Sequence, residues 1–168
     1  MRLLKFLLVM MLVLPLSAQA IETKASYVLL LDAETGVALF EKNADARMSP
    51  ASMSKLMTVL MTFEALESGA ISADEEFFVS DDAWRRGGAG SGGSTMFLKA
   101  RSRVSVLDLL RGVIIQSGND ACITLAEGMA GSEPAFAELM TERAQELGMS
   151  RSRFINSTGL PDPDHKTT

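Results

Sequence analysis

Cysteine and histidine are almost absent from this chain. Its 168 residues include one cysteine, Cys122, and one histidine, His165. A single thiol cannot form a disulfide within the chain, so packing must stabilise the fold, and we expect Cys122 to be a buried packing residue. One thiol and one imidazole are also too few soft ligands for a zinc or iron site. We therefore expect no metal site. We also expect no cofactor.

Positive charge is scarce as well. Sixteen Lys and Arg residues stand against 21 Asp and Glu residues, which gives a net charge of −5. The first twenty residues hold two of the basic residues and no acidic one, so the remainder has 14 basic residues and a net charge of −7. This charge balance argues against a basic surface that binds the phosphate backbone of a nucleic acid, so we expect no nucleic-acid partner. Four clustered basic residues are predicted to be solvated surface charge: Arg85, Arg86, Arg101 and Arg103.

The first twenty residues differ from the rest of the chain. Arg2 and Lys5 precede an almost unbroken apolar run over residues 6–16, and Ser17-Ala18-Gln19-Ala20 follows. A charged start, a short apolar core and small residues at the end are features of a secretory signal peptide. The run is too short to span a bilayer comfortably, which disfavours an uncleaved anchor. We predict a signal peptide over residues 1–20, cleavage after Ala20 and a mature protein in the periplasm of a Gram-negative-like cell.

The order of strands and helices follows from the hydrophobic pattern of residues 21–168. Apolar runs over Ala25–Asp32 and Val37–Lys42 flank a turn-forming segment and predict a β-hairpin. Apolar residues cover nearly every side of the helix predicted from Met53 to Leu66, so we expect that helix to be buried. Three later helices are predicted from caps and periodicity: one beginning at Ser105, one over Ala121–Met129 and one from Ser132 to Gly148.

A glycine-rich stretch over Gly87–Gly93 contains the spacing G-x-G-x-x-G, which is found in dinucleotide-binding loops. That function requires a strand before the glycines and a helix after them. Here the flanking sequences are D-D-A-W-R-R and the helix-poor S-T-M-F. We reject the dinucleotide interpretation and predict a flexible surface loop.

The most informative pattern for chemistry is Ser52-Met53-Ser54-Lys55, at the start of the first predicted helix. Residues three apart share one face of a helix, so the Lys55 amine can reach the Ser52 hydroxyl and accept its proton. Burial of the helix favours the neutral form of Lys55 that a general base needs. The alternative interpretation places Lys55 at an exposed helix end with no function.

A second pattern, Ser117-Gly118-Asn119-Asp120, interrupts two apolar helices with small and polar residues. In one interpretation Ser117 or Asn119 only caps the helix that follows. In the other, Ser117 relays protons and the Asn119 amide orients Lys55 or an amide of the substrate. The second interpretation requires both patterns to belong to one site.

Together these segments resemble the serine D-alanyl-D-alanine carboxypeptidases, the low-molecular-weight penicillin-binding proteins, whose superfamily carries an S-x-x-K motif. The segments occur in family order: the hairpin turn D-A-E-T-G, P-A-S-M-S-K-L-M-T, S-G-N-D-A and N-S-T-G-L-P. The resemblance implies an α/β transpeptidase-like domain with helices packed on an antiparallel sheet. It implies Ser52 as the acyl-enzyme nucleophile, Lys55 as proton acceptor, and Ser117 with Asn119 as the second catalytic element. The implied substrate is a peptidoglycan stem peptide ending in D-Ala-D-Ala, with β-lactams as covalent inhibitors.

One family motif is missing from the sequence. No Lys-Thr-Gly occurs, and the terminal Lys166-Thr167-Thr168 follows a loop without a strand. We therefore expect residues 21–168 to be a partial catalytic domain, from a truncated product or fragment, with little activity alone. Membrane association is expected only through a C-terminal anchor of the family kind, which this sequence does not contain.

Two alternatives to a carboxypeptidase stay open at this stage. The first is an inactive, vestigial protein that binds peptidoglycan. The second is a serine β-lactamase relative, which would share Ser52, Lys55 and the S-x-N turn. The sequence has no Glu-x-x-Leu-Asn segment of the kind that supplies a deacylating carboxylate in β-lactamases.

Overall fold

The structure of the chain is a computed structural model that describes residues 21–168. The predicted signal peptide, residues 1–20, lies outside the described residues. The described residues divide into two compact units, residues 21–44 and residues 45–168. Among the helices of residues 21–168, none has both the length and the apolar character needed to cross a membrane.

The described part of the first unit contains the predicted β-hairpin. Strands β1 (Val28–Leu31) and β2 (Ala38–Lys42) pair antiparallel, which confirms the hairpin with shorter strands than expected. Asp32 closes the turn, because its Oδ1 accepts hydrogen bonds from the backbone N–H and the hydroxyl of Thr35, at 2.8 and 2.6 Å. Gly36 follows with φ of +70°, a conformation that favours glycine.

The second unit consists of five α-helices and one short sheet. A 3₁₀ turn over Ala51–Ser54 leads into α1 (Lys55–Glu67). The remaining elements follow in chain order: β3 (Glu76–Phe78), α2 (Asp81–Gly87), β4 (Arg103–Ser105), α3 (Val106–Gln116), α4 (Asn119–Ala130) and α5 (Glu133–Glu146). Strands β3 and β4 pair antiparallel. Lys166 and Thr167 form only isolated bridges, with Arg153 and Met48.

Helix α4 lies at the centre of this unit and packs against the other four helices and β3. Its residues from Asn119 to Ala126 are all buried. The apolar stripe of α3 packs on one side of it, around Leu109 and Val113, and Phe136 and Met140 of α5 pack on another. Ser105 and Ser132 cap α3 and α5 as predicted, accepting from Asp108 N and Ala135 N.

The predicted burial of α1 holds for one side of the helix only. Met57, Thr58 and Thr62 face the interior, whereas Leu56 is 73% exposed and Phe63 is 50% exposed. The sequence is apolar all round, but the elements of residues 45–168 cover only one side of the helix. A face of α1 next to Ser52 and Lys55 is therefore open.

The glycine-rich stretch is more ordered than the prediction of a flexible loop suggested. Gly87 ends α2, and Ala89–Ser91 forms a 3₁₀ turn. Gly87 is buried against α4, where a Cβ would collide with the backbone of Asn119 and Asp120. The helix before these glycines, in place of a strand, agrees with rejection of a dinucleotide site. Helix α2 and the β3–β4 pair were not predicted from the sequence.

Candidate active site

Ser52 and Lys55 approach each other at the start of α1. The Lys55 amine donates to Ser52 Oγ at 3.2 Å, within hydrogen-bond reach. Ser52 is exposed in the 3₁₀ turn, and the preceding Ala51 has φ of +48°, which is strained for a residue with a side chain. The geometry therefore presents a hydroxyl to solvent with an amine directly behind it.

Lys55 itself is buried, with 6% of its surface exposed. Burial lowers the pKa of the Lys55 amine below its ordinary value of 10.5. This contradicts the alternative of a solvated lysine at a helix end. Its second hydrogen bond goes to the carbonyl oxygen of Thr158, at 2.8 Å.

The segment that carries Thr158 is a tight loop built around one side chain. Asn156 Oδ1 accepts hydrogen bonds from the backbone N–H of Thr158 and Gly159 and from the Thr158 hydroxyl. Its Nδ2 donates to the carbonyl of Leu160 at 3.0 Å. Gly159 has φ of +80° and lies so close to Ala51 that a Cβ would collide with the Ala51 carbonyl. The loop thus packs directly against the turn that holds Ser52.

Ser157, the neighbour of Thr158, forms hydrogen bonds through its carbonyl, its N–H and its hydroxyl. The hydroxyl of Thr58, one turn after Lys55 on α1, donates to the Ser157 carbonyl at 2.8 Å. The N–H and hydroxyl of Ser157 both donate to Glu133 Oε1, at 3.0 and 2.7 Å. The other carboxylate oxygen of Glu133 pairs with Arg86 at 2.6 Å. The Arg86 side chain is 38% exposed, so it is partly solvated as predicted, but its guanidinium also pairs with a buried carboxylate.

The turn before α1 is held by the single histidine. Ser54 Oγ donates to the Ala51 carbonyl at 2.8 Å and lies 2.9 Å from His165 Nε2. The tautomer of His165 that satisfies all three contacts has the proton on Nε2, so that Nε2 donates to Ser54 Oγ and Nδ1 accepts from Ile155 N–H at 3.5 Å. Burial lowers the pKa of His165 below 6.5, with Asp162 and Glu133 opposing the shift.

Ser117 lines the same cavity as Ser52 and Lys55. The cavity has a volume of about 260 Å³, and its remaining walls are apolar: Leu56, Val59, Val113 and Ile114. Ser117 has left-handed backbone angles, with φ of +54°, and ends α3. The cap of α4 is Gly118, without a side-chain bond, so neither Ser117 nor Asn119 caps that helix through its side chain.

Asn119 is buried. Among residues 21–168, no hydrogen bond joins Asn119 to Lys55. Its backbone N–H donates to the Ser94 carbonyl at 2.8 Å. Its side-chain nitrogen lies against Gly93, where a Cβ would approach to 2.8 Å. The structure thus brings Ser52, Lys55 and Ser117 to one cavity and places Asn119 next to it, facing the glycine-rich segment.

Asp120 fixes the segment opposite this turn, a role that the sequence did not suggest. Its side chain is fully buried and accepts from the Thr95 hydroxyl at 2.6 Å and from the backbone N–H of Met96 and Leu98, at 3.0 and 2.9 Å. Asp120 therefore holds residues 95–98 against the S-G-N turn.

Cys122, on α4, is fully buried, as expected for a packing residue. Burial raises the pKa of its thiol to about 12, so the thiol is protonated and unreactive at neutral pH. Within residues 21–168 no three His, Cys, Asp or Glu side chains cluster in a way that could hold a metal ion.

Comparison with known proteins gives consistent matches. The model of the D-alanyl-D-alanine carboxypeptidase family matches residues 15–168. D-alanyl-D-alanine carboxypeptidase DacC of Escherichia coli is 44% identical over 141 residues, which cover 83% of this chain and 35% of that protein. The chain thus spans about a third of the length of the curated relatives it matches.

Two solved structures extend the comparison. Penicillin-binding protein 5 from Haemophilus influenzae superposes with a TM-score of 0.83 at 36% identity, covering 89% of this chain and 43% of that one. Penicillin-binding protein D2 from Listeria monocytogenes, in its ampicillin-bound form, superposes with a TM-score of 0.70 at 29% identity, covering 89% of this chain and 58% of that one. The predicted fold class, an α/β transpeptidase-like domain present in part, is confirmed.

Proposed function

This chain belongs to the D-alanyl-D-alanine carboxypeptidase family, and on that premise we propose that it carries the nucleophile and base of a serine carboxypeptidase acting on peptidoglycan stem peptides. The observation that carries the proposal is the 3.2 Å contact between the buried Lys55 amine and the exposed Ser52 hydroxyl. A serine hydroxyl is a weak nucleophile unless an adjacent base removes its proton. A lysine with a lowered pKa supplies such a base.

In the proposed reaction, Ser52 Oγ attacks the carbonyl carbon of the penultimate D-alanine, and its proton passes to the neutral amine of Lys55. The peptide C–N bond breaks, the terminal D-alanine leaves with a proton on its amine, and the rest of the peptide stays bound as an ester of Ser52. Water then hydrolyses the ester and restores the hydroxyl. Ser117 relays the proton towards the leaving amine, and Asn119 orients the substrate amide.

The turn containing Ser52 also offers positive potential to the developing oxyanion. The first N–H groups of a helix have no partner within the helix, and the helix dipole adds to their effect. Ser52 lies in this first turn, so its own backbone N–H is a donor of the kind that stabilises tetrahedral intermediates.

The same chemistry implies β-lactam antibiotics as covalent inhibitors. A β-lactam is a cyclic amide, so attack by Ser52 opens the ring without releasing a leaving group and yields a penicilloyl ester. The ampicillin-bound state of the Listeria relative supports this part of the proposal.

We propose a periplasmic location and a role in cell-wall biogenesis, remodelling and cell shape. The charged start, apolar core and Ala18-Gln19-Ala20 end of residues 1–20 support export. Mass spectrometry of protein from the cell envelope is expected to show Ile21 as the first residue. Recovery of a chain that still begins at Met1 would contradict export by cleavage.

The proposed activity is tested by D-alanine release from diacetyl-lysyl-D-alanyl-D-alanine, using the whole gene product that contains this chain. Ser52→Ala is expected to reduce release by at least about 10³-fold, because it removes the nucleophile. Ser49→Ala, which removes an exposed hydroxyl three residues earlier, is the matched control and should change little. Rapid penicillin hydrolysis without D-alanine release would favour a β-lactamase, and peptide binding without either reaction would favour a non-catalytic protein.

A further inference from the structure

Glu133 is a buried carboxylate that the proposed reaction does not use. It is the first residue of α5, and 3% of its surface is exposed. A buried carboxylate is unfavourable unless each oxygen has a partner. Both oxygens of Glu133 are paired, Oε1 with the N–H and hydroxyl of Ser157 and Oε2 with the guanidinium of Arg86.

Glu133 bonds to Ser157, and the next residue, Thr158, bonds to Lys55. The Ser157 amide is held by Glu133, and the Ser157 carbonyl is held by Thr58 of α1. These contacts fix the peptide plane on either side of Ser157 and thereby the start of Thr158. The Thr158 carbonyl, in turn, accepts the 2.8 Å hydrogen bond from Lys55.

The position of that carbonyl matters because Lys55 has two acceptors. The bond to Thr158 is shorter than the 3.2 Å bond to Ser52 Oγ, and it fixes the direction in which the amine points. If the carbonyl moved, the amine would be free to turn away from Ser52. Displacements of about 1 Å in such arrangements reduce rates by roughly 10²-fold.

We propose that Glu133 is a positioning residue for Lys55, which acts through Ser157 and the Thr158 carbonyl to hold the amine against the Ser52 hydroxyl. Arg86 of α2 completes the arrangement by pairing with the outer carboxylate oxygen of Glu133 while also bonding Asp82. This inference rests on the proposed function, because it assigns to Glu133 the orientation of the base used there.

The test is a double-mutant cycle on the acylation of the whole gene product by a fluorescent penicillin. Glu133→Ala is made in the wild type and in a Lys55→Ala background, with Glu138→Ala, an exposed glutamate on the same helix, as control. Glu133→Ala is expected to lower the saturating acylation rate about 10- to 100-fold and to change half-saturation less than about 3-fold. In the Lys55→Ala background it should have no further effect, because the residue through which it acts is gone.

A conservative variant separates positioning from stability. Glu133→Gln keeps an acceptor oxygen for Ser157 and is expected to retain acylation within about 5-fold of the wild type. If Glu133→Ala does not fold, Ser157→Ala, which removes only the hydroxyl bond, should lower the saturating rate about 3- to 10-fold. The inference would be overturned if Glu133→Ala lowered the acylation rate by the same factor in the wild type and in Lys55→Ala. It would also be overturned if folded Glu133→Ala or Ser157→Ala reacted at the wild-type rate.

Hydrogen exchange distinguishes failure of this inference from failure of the proposed function. The Ser157 amide should exchange about 10-fold faster in Glu133→Ala than in the wild type, and at the wild-type rate in Glu138→Ala. Unchanged exchange in Glu133→Ala overturns the inference whatever the acylation result. An unlabelled wild type, or a Lys55→Ala variant labelled as fast as the wild type, instead overturns the proposed function and with it the catalytic part of the role of Glu133.

Discussion

The side-chain nitrogen of Lys55 donates to the carbonyl oxygen of Thr158 at 2.8 Å, across 103 positions of sequence. A second bond, at 3.2 Å, joins the same nitrogen to Ser52 Oγ. The local S-x-x-K spacing therefore supplies only one of the two hydrogen-bond acceptors of Lys55, Ser52 Oγ. The other acceptor, the Thr158 carbonyl, belongs to the Asn156–Gly159 loop, which is distant in sequence.

The first prediction concerns the pH dependence of acylation. Burial lowers the pKa of Lys55 below 10.5, so its neutral form becomes available at lower pH than for a solvated lysine. The rate of penicillin acylation should rise with pH and level off once the pH exceeds this lowered pKa. Lys55→Ala should slow acylation by about 10² to 10⁴-fold and abolish the rise. A rise centred at 10.5 or above, or the same rise in Lys55→Ala, would show that Lys55 is not the tuned base.

The second prediction concerns Gly159, which combines φ of +80° with close contact to the Ala51 carbonyl. Gly159→Ala should lower the free energy of unfolding by about 2–4 kcal/mol, through backbone strain and a collision next to Ser52. Gly131 is the matched control, because it has φ of +79° but open space around it. Gly131→Ala should lower the free energy of unfolding by only about 1 kcal/mol. Equal losses in urea unfolding would mean that contact with Ala51 contributes nothing.

The third prediction concerns Asp120, whose carboxylate accepts from Thr95, Met96 and Leu98 in the interior. In Asp120→Asn, the new NH₂ group must face groups that are themselves donors. The free energy of unfolding should fall by about 2–4 kcal/mol. Asp108→Asn, at an exposed site on α3, should change it by no more than about 0.5 kcal/mol. Asp120→Asn with wild-type stability would show that these bonds are replaceable.

The fourth prediction concerns stability in acid. The pKa of His165 is lowered by burial, against the influence of Asp162 and Glu133. The unfolded imidazole takes up a proton below pH 6.5, whereas burial of the folded imidazole opposes its protonation. The contribution of His165 is therefore complete above that pH and decreases as the pH falls towards the folded pKa, by at most about 1.4 kcal/mol per pH unit.

His165→Gln isolates this contribution. The difference in the free energy of unfolding between wild type and His165→Gln should be larger at pH 7.5 than at pH 5. Urea unfolding at the two pH values measures it. A difference that stays constant, or that grows in acid, would show that His165 does not titrate as described.

Local signals in the sequence predicted much of the fold. Ser105 and Ser132 marked the starts of α3 and α5 because a side-chain cap is a short-range interaction. The spacing of Ser52 and Lys55 located a reachable pair because three residues on a helix fix their distance. Helix α2 was missed because its polar sequence has little apolar periodicity, and its stability comes from packing of Gly87 and Ala83 on α4.

The rest of the site depends on contacts between distant segments, which no local pattern encodes. Glu133 was predicted only as part of a helix start, yet it reaches Ser157, 24 residues away. Arg86 was expected to be solvated, and only its distance from Glu133 in the fold reveals their ion pair. The apolar sequence of α1 shows which faces can be covered, and only the fold shows that residues 45–168 cover the face with Met57, Thr58 and Thr62.

We propose Ser52 as the acyl-enzyme nucleophile and Lys55 as its base. The most direct measurement is peptide mass spectrometry of the whole gene product after reaction with penicillin. One penicilloyl group is expected, on the peptide containing Ser52; it should be absent in Ser52→Ala and form about 10² to 10⁴-fold more slowly in Lys55→Ala. A penicilloyl group on another residue, or labelling that survives Ser52→Ala, would contradict it.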